Sequence, residues 1–162
     1  MDEGPILEVD WVTANRYKTR AGDFIRSAGF LSTNIHDGWL PSAGLLLGFA
    51  CELLAKGRLI YSGVSENALR NAPYGHDISG MWRNETTLYT EAQNVTGRLK
   101  QTPNENGVGT FFDWEIHFDQ LAQGHSRAGD YSLRYHKGER HFADPKAMTI
   151  ILSEIWLTFM EQ

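Results

Sequence analysis

The stretch Leu40–Gly63, LPSAGLLLGFACELLAKGRLIYSG, decides the fold. It predicts a single long helix. Pro41 falls in the first turn, where the missing N–H has no intrahelical acceptor to lose. Gly63 falls just past the last apolar position, where a helix favours a left-handed cap. Wound at roughly 3.6 residues per turn, Leu45, Leu46, Phe49, Leu53, Leu54 and Ile60 cover one broad face. Gly44, Gly48, Cys51 and Ala55 recur at spacings of four, three and four, so they align as a stripe of small residues. A large face and a small stripe predict neighbours on both sides, one of them in close approach. The charged residues are Glu52, Lys56 and Arg58. They argue against a membrane span, and Glu52 precedes Lys56 in the order that favours an intrahelical pair. The helix is expected at the centre of a bundle.

Outward from it the chain reads as further helices. Upstream, Leu7, Val9 and Trp11 alternate with polar residues and predict a short strand or packed arm. Thr13 can then cap a helix whose seam is Tyr17, Ala21, Phe24, Ala28 and Leu31. Arg16, Lys18, Arg20 and Arg26 lie outside that seam and read as a solvated face. Downstream, the loop VSENALRNAPYG ends at Gly75, and His76 or Asp77 starts a third helix with the seam Ile78, Met81, Leu88, Ala92, Val95 and Leu99. After the loop QTPNENGVG, Thr110 and Asp113 resemble a capping box for a short helix that turns Phe111, Trp114, Phe118 and Leu121 inward. Tyr131, Leu133 and Tyr135 then alternate with Ser132, Arg134 and His136, which is strand periodicity. Lys137-Gly138-Glu139 supplies a turn, and Asp144-Pro145 opens a last helix with Met148, Ile151, Leu152, Ile155 and Phe159 inside. The expected architecture is all-α: one domain over residues 1–162, an up-and-down bundle of about five helices, with a small β-hairpin before the last.

At 162 residues the chain is long enough for a real core, and its formal net charge of −5 argues against coating DNA through overall charge. The single cysteine, Cys51, excludes an intramolecular disulfide framework and suits a reducing compartment. The start, MDEGPILEVDW, lacks the apolar core of a signal peptide. A cytoplasmic protein without membrane contact is expected.

Two segments carry a resemblance. Ala50-Cys51-Glu52-Leu53-Leu54-Ala55-Lys56 on the central helix is followed, after a loop, by Gly75-His76-Asp77-Ile78 opening the next. This pairing resembles the HEPN superfamily of small helical bundles, and Leu133-Arg134-Tyr135 before a final helix is similar to some members. The resemblance implies a domain that binds RNA or nucleotides, in some members a metal-independent ribonuclease of toxin or phage-defence systems. In others it implies a non-catalytic oligomerising or partner-binding module. Active members carry Arg, four to six residues, then His, and work as homodimers with two motifs facing each other. Arg134 with His141 fits that spacing, and so does Arg70 with His76 as an alternative pair.

The chemistry follows from residue type. Arginine stabilises charge on a phosphate, and histidine titrates near neutrality and can act as acid or base on a ribose hydroxyl. Between residues 125 and 141, His125, Arg127, Arg134, His136, Lys137, Arg140 and His141 face only Asp130 and Glu139. That concentration predicts an anion-binding patch at Arg134, His136, Arg140 and His141, unless the segment is simply a solvated hairpin. Glu52 and Lys56 join a ligand site if they line a cavity. The expected partners are RNA or a nucleotide, a second copy of the chain, or a partner protein. No metal and no cofactor is expected, because His136 and His141 lack a ligand motif and no glycine-rich phosphate loop is present.

Overall fold

Trp11 packs edge-to-face on Tyr61 at 4.5 Å between ring centroids, and Phe24 stacks on Phe49 at 5.5 Å. Early residues of the first helix therefore meet late residues of the second, and the two run antiparallel. They are α1, Trp11–Thr33, and α2, Leu40–Tyr61. These contacts come from a computed structural model of the chain, which describes residues 9–33, 40–126 and 144–159. The further elements are α3, Ile78–Gly80, continued by a π-helical turn Met81–Glu85; α4, Leu88–Leu99; the short α5, Pro103–Asn106; α6, Trp114–His125; and α7, Pro145–Leu157. The described residues form an all-helical bundle without strands. The expected hairpin, with Arg134, His136, Arg140 and His141, lies outside the described residues. Among the described residues no helix is long and apolar enough to cross a membrane.

α2 is central, as its composition requires, but its burial is distributed differently from expectation. Ala43, Leu47, Ala50, Cys51, Leu54 and Ala55 are fully buried. Leu45, Leu46, Phe49 and Leu53 are only partly covered. The small stripe is thus on the deeper side, together with Leu47 and Leu54, and at Gly48 it takes the His125 ring. Gly63 ends the helix at φ 94°, with the Val64 N–H donating to the Leu59 carbonyl at 2.9 Å. α7 caps as its sequence predicts: Asp144 accepts from the N–H groups of Lys146 and Ala147 at 3.0 and 3.1 Å. It lies antiparallel on α1, where Gly22 makes room for the Trp156 indole and the Trp156 Nε1–H donates to the Lys18 carbonyl at 2.9 Å.

Four local expectations are corrected. Trp11 belongs to α1 rather than to an extended arm, because Asp10, not Thr13, is the cap: it accepts the Thr13 N–H at 2.9 Å. The third helix is broken at Thr86, whose backbone is extended and whose hydroxyl donates to the Met81 carbonyl at 3.0 Å. That bond satisfies a carbonyl the helix has abandoned and splits the seam into α3 and α4. α6 starts at Trp114 with Asp113 as its cap, accepting the Ile116 N–H at 3.1 Å, so Thr110 lies outside it. As a result Phe111 is 99% exposed, and Phe112 is the buried residue, stacked on His117 at 4.5 Å.

Candidate functional site

Glu52 sits at the middle of α2 with only 6% of its surface exposed. Three elements bring donors to its carboxylate. Lys56, one turn along the same helix, donates from Nζ to Oε1 at 2.8 Å. His125, the last residue of α6, places Nε2 2.9 Å from Oε2. His76, just before α3, places Nδ1 3.0 Å from Oε2 and 3.1 Å from Oε1. The sequence builds this locally. Asp77 caps α3 by accepting the Gly80 N–H at 2.9 Å, which sets the chain path at His76. Gly48 lies one turn before Glu52, and a Cβ there would fall 2.6 Å from His125 Nδ1 and 2.9 Å from its Cγ. Only glycine leaves room for the imidazole, which also meets the Phe49 ring edge-on at 4.8 Å.

The electrostatics are decided inside this cluster. Burial alone pushes the Glu52 carboxyl up. The bonds from His125, Lys56 and His76, with the charge of Lys56, outweigh it and hold the group at about 2. Glu52 is therefore a carboxylate at neutral pH and accepts only. It follows that His76 donates from Nδ1 and His125 from Nε2, which fixes the proton on each of those atoms. For His76 this leaves Nε2 on the opposite edge of the ring, and 49% of that side chain is open to solvent. His125 is wholly enclosed. The arrangement is a buried anchor with one exposed arm: a carboxylate-oriented imidazole at the surface.

The sequence-predicted residues divide accordingly. Glu52, Lys56 and His76 converge, joined by their bonds. Arg70 ends the 3-10 turn Ala68–Arg70, exposed, and is close enough to Tyr17 to act on its hydroxyl. Arg134, His136, Arg140 and His141 lie outside the described residues. Glu52 and Lys56 form the intrahelical pair that their order favours, and both are buried. His125, which the sequence groups with the basic segment that follows it, is buried in the core. The sequence's signal for it is Gly48, one turn before Glu52 on the helix; that Glu52 is buried and that the His125 ring takes up the space at Gly48 are set by the fold. Among the described residues no group of His, Cys, Asp and Glu is placed to hold a metal ion. Compared with family models, curated proteins and solved structures, the chain matches none of them.

Proposed function

We propose that this chain is a HEPN-like domain that binds RNA or nucleotides, with His76 as the group that meets the ribose–phosphate. The observation that carries the reading is the bond from His76 Nδ1 to the carboxylate of Glu52 at 3.0 Å. A buried carboxylate that fixes one ring nitrogen leaves the other oriented for proton transfer at the surface. In the ribonuclease form of this reading, His76 Nε2 takes the proton of a ribose 2′-hydroxyl. The hydroxyl oxygen attacks the adjacent phosphorus, the bond to the 5′ oxygen breaks, that oxygen takes up a proton from solvent, and a 2′,3′-cyclic phosphate forms. Arg70, six residues before His76, then stabilises the phosphate charge. A homodimer is the assembly this reading anticipates, and Arg134 with His141 is the second candidate pair.

The test is titration and cleavage of RNA at two salt concentrations with the parent, His76→Ala, Arg70→Ala and Arg134→Ala/His141→Ala. Loss of binding or cleavage in His76→Ala with an unchanged melting temperature supports the reading. Parental activity in both His76→Ala and Arg70→Ala overturns it for this pair, and activity lost only in the Arg134/His141 variant moves the site there. Light scattering gives the assembly.

A second reading is favoured by burial. Glu52, Lys56 and His125 are all enclosed, so the cluster pins α6 to α2 whatever His76 does. In that reading the chain is a non-catalytic oligomerising or partner-binding module, and RNA neither binds nor is cleaved.

A further inference from the structure

α7 opens on a capping arrangement that its own sequence leaves half-built. Asp144, at the cap, accepts the N–H groups of Lys146 and Ala147. In a complete capping box, a Glu or Gln at the third helical position accepts the N–H of the cap residue in return. That position in α7 is Ala147, whose side chain has no acceptor. The acceptor comes from another helix instead: the Asp144 N–H donates to Nδ1 of His117, on α6, at 2.9 Å. His117 completes in space the box that α7 lacks along the chain, and through this bond α6 holds the start of α7.

The bond exists in one protonation state. A backbone N–H only donates, so Nδ1 must offer a lone pair and the ring proton sits on Nε2. The imidazolium carries N–H on both nitrogens and has no acceptor for Asp144. The ring lies flat on buried Phe112, 4.5 Å between centroids and 2° between planes. A flip within that stack would put a carbon in place of Nδ1 and restore nothing. Burial holds the pKa of His117 below the ordinary 6.5, against the carboxylates of Asp144 on α7 and Asp113 at the cap of α6. Lys100, just past α4, donates to the Phe112 carbonyl at 2.7 Å, and Glu115 and Asp119 on α6 face Arg83 at 3.9 and 2.8 Å. Asp144 is exposed, so an N–H released there passes to water. Beyond its first turn α7 keeps Met148, Ile151, Leu152 and Ile155 buried, and it packs on α1, α2 and α4. Release is thereby confined to the first turn.

We propose that His117 is a pH-operated fastening between α6 and α7: the neutral ring holds the first turn of α7 through the Asp144 N–H, and the imidazolium lets it go. The unfolded chain takes up the proton at an ordinary 6.5 and the folded chain only at lower pH. The contribution of the bond is therefore complete above 6.5 and is lost as pH falls below it. The experiment is NMR titration of the isotope-labelled chain. At neutral pH the His117 ring is expected to show a proton on Nε2 and none on Nδ1. As pH falls, the Asp144 amide proton should move upfield with the same midpoint as the His117 ring, below 6.5. His117→Asn keeps an acceptor near the Nδ1 position and does not titrate. Its Asp144 amide should hold one shift through that range, and its melting temperature should fall less than the parent's between neutral pH and about pH 5. An Nδ1–H tautomer at neutral pH overturns the proposal, and so does an Asp144 amide that ignores the ring's titration. A ring that stays neutral until the chain unfolds overturns it as well. If the Asp144 amide of His117→Asn shifts as the parent's does, a carboxylate drives the movement and the fastening falls. Should that variant not fold, the two midpoints in the parent decide alone.

Discussion

His125 Nε2 lies 2.9 Å from Glu52 Oε2, with the imidazole fully enclosed and the carboxylate nearly so. A bond of this kind between residues far apart in the chain is a tertiary clamp: it holds the end of α6 against the middle of α2. It also sets the charge state on which the exposed His76 depends.

Gly48→Ala should be destabilising despite alanine's better helix propensity. The new methyl would press on a ring that cannot move, since Glu52 holds its far side. Overpacking of this kind costs about 1–3 kcal/mol. Urea denaturation checks it, and a midpoint equal to that of the parent would show the helix contact to be loose.

Glu52→Gln removes the charge and leaves Lys56 buried without its counter-ion, a change that costs about 3–5 kcal/mol. The pH dependence has a fixed sign. The carboxyl is held at about 2 in the folded chain against an ordinary 4.5. Its contribution is complete above 4.5 and is lost as pH falls toward 2. The shift corresponds to roughly 3 kcal/mol. Denaturation of parent and variant at falling pH should show the two stabilities converging in that window; a constant gap would refute the assignment.

Cys51 is fully buried in the small stripe, and that burial pushes its thiol well up. The Trp82 indole closes over the same turn, its Nε1–H donating to the Cys51 carbonyl at 2.8 Å. A thiol reagent should modify Cys51 only as fast as the chain opens. Fast stoichiometric labelling of the folded protein would contradict the packing.

Arg58 and Glu91 pair at 3.2 and 3.3 Å through the two terminal guanidinium nitrogens, with both side chains largely covered. Glu91→Gln should cost about 3 kcal/mol or more, and replacing both residues with apolar ones of similar volume should restore much of that loss. A double-mutant cycle of unfolding free energies gives the coupling, and a value near zero would place the pair among ordinary surface contacts.

Residue order alone determined most of the helices. Apolar periodicity is a property of neighbours a few positions apart, so α2 and α7, with their cap at Gly63 and at Asp144-Pro145, were legible from local chemistry. Where a side chain could cap more than one turn, the sequence left a choice: Asp10 prevailed over Thr13, and Asp113 over Thr110, which turned Phe111 out to solvent. Thr86 broke a seam that periodicity carried through, because its hydroxyl bonds a carbonyl and its backbone is extended. Of the site, the sequence determined that Glu52 and Lys56 share a helix face and that His76 or Asp77 opens the next element; the fold makes Asp77 the cap. Only the tertiary structure decided that they meet, and that His125 completes the set from 73 positions away. Burial turned a weak intrahelical pair into a carboxylate that must keep its charge. That depends on what surrounds the turn, and one residue's neighbours along the chain do not specify it.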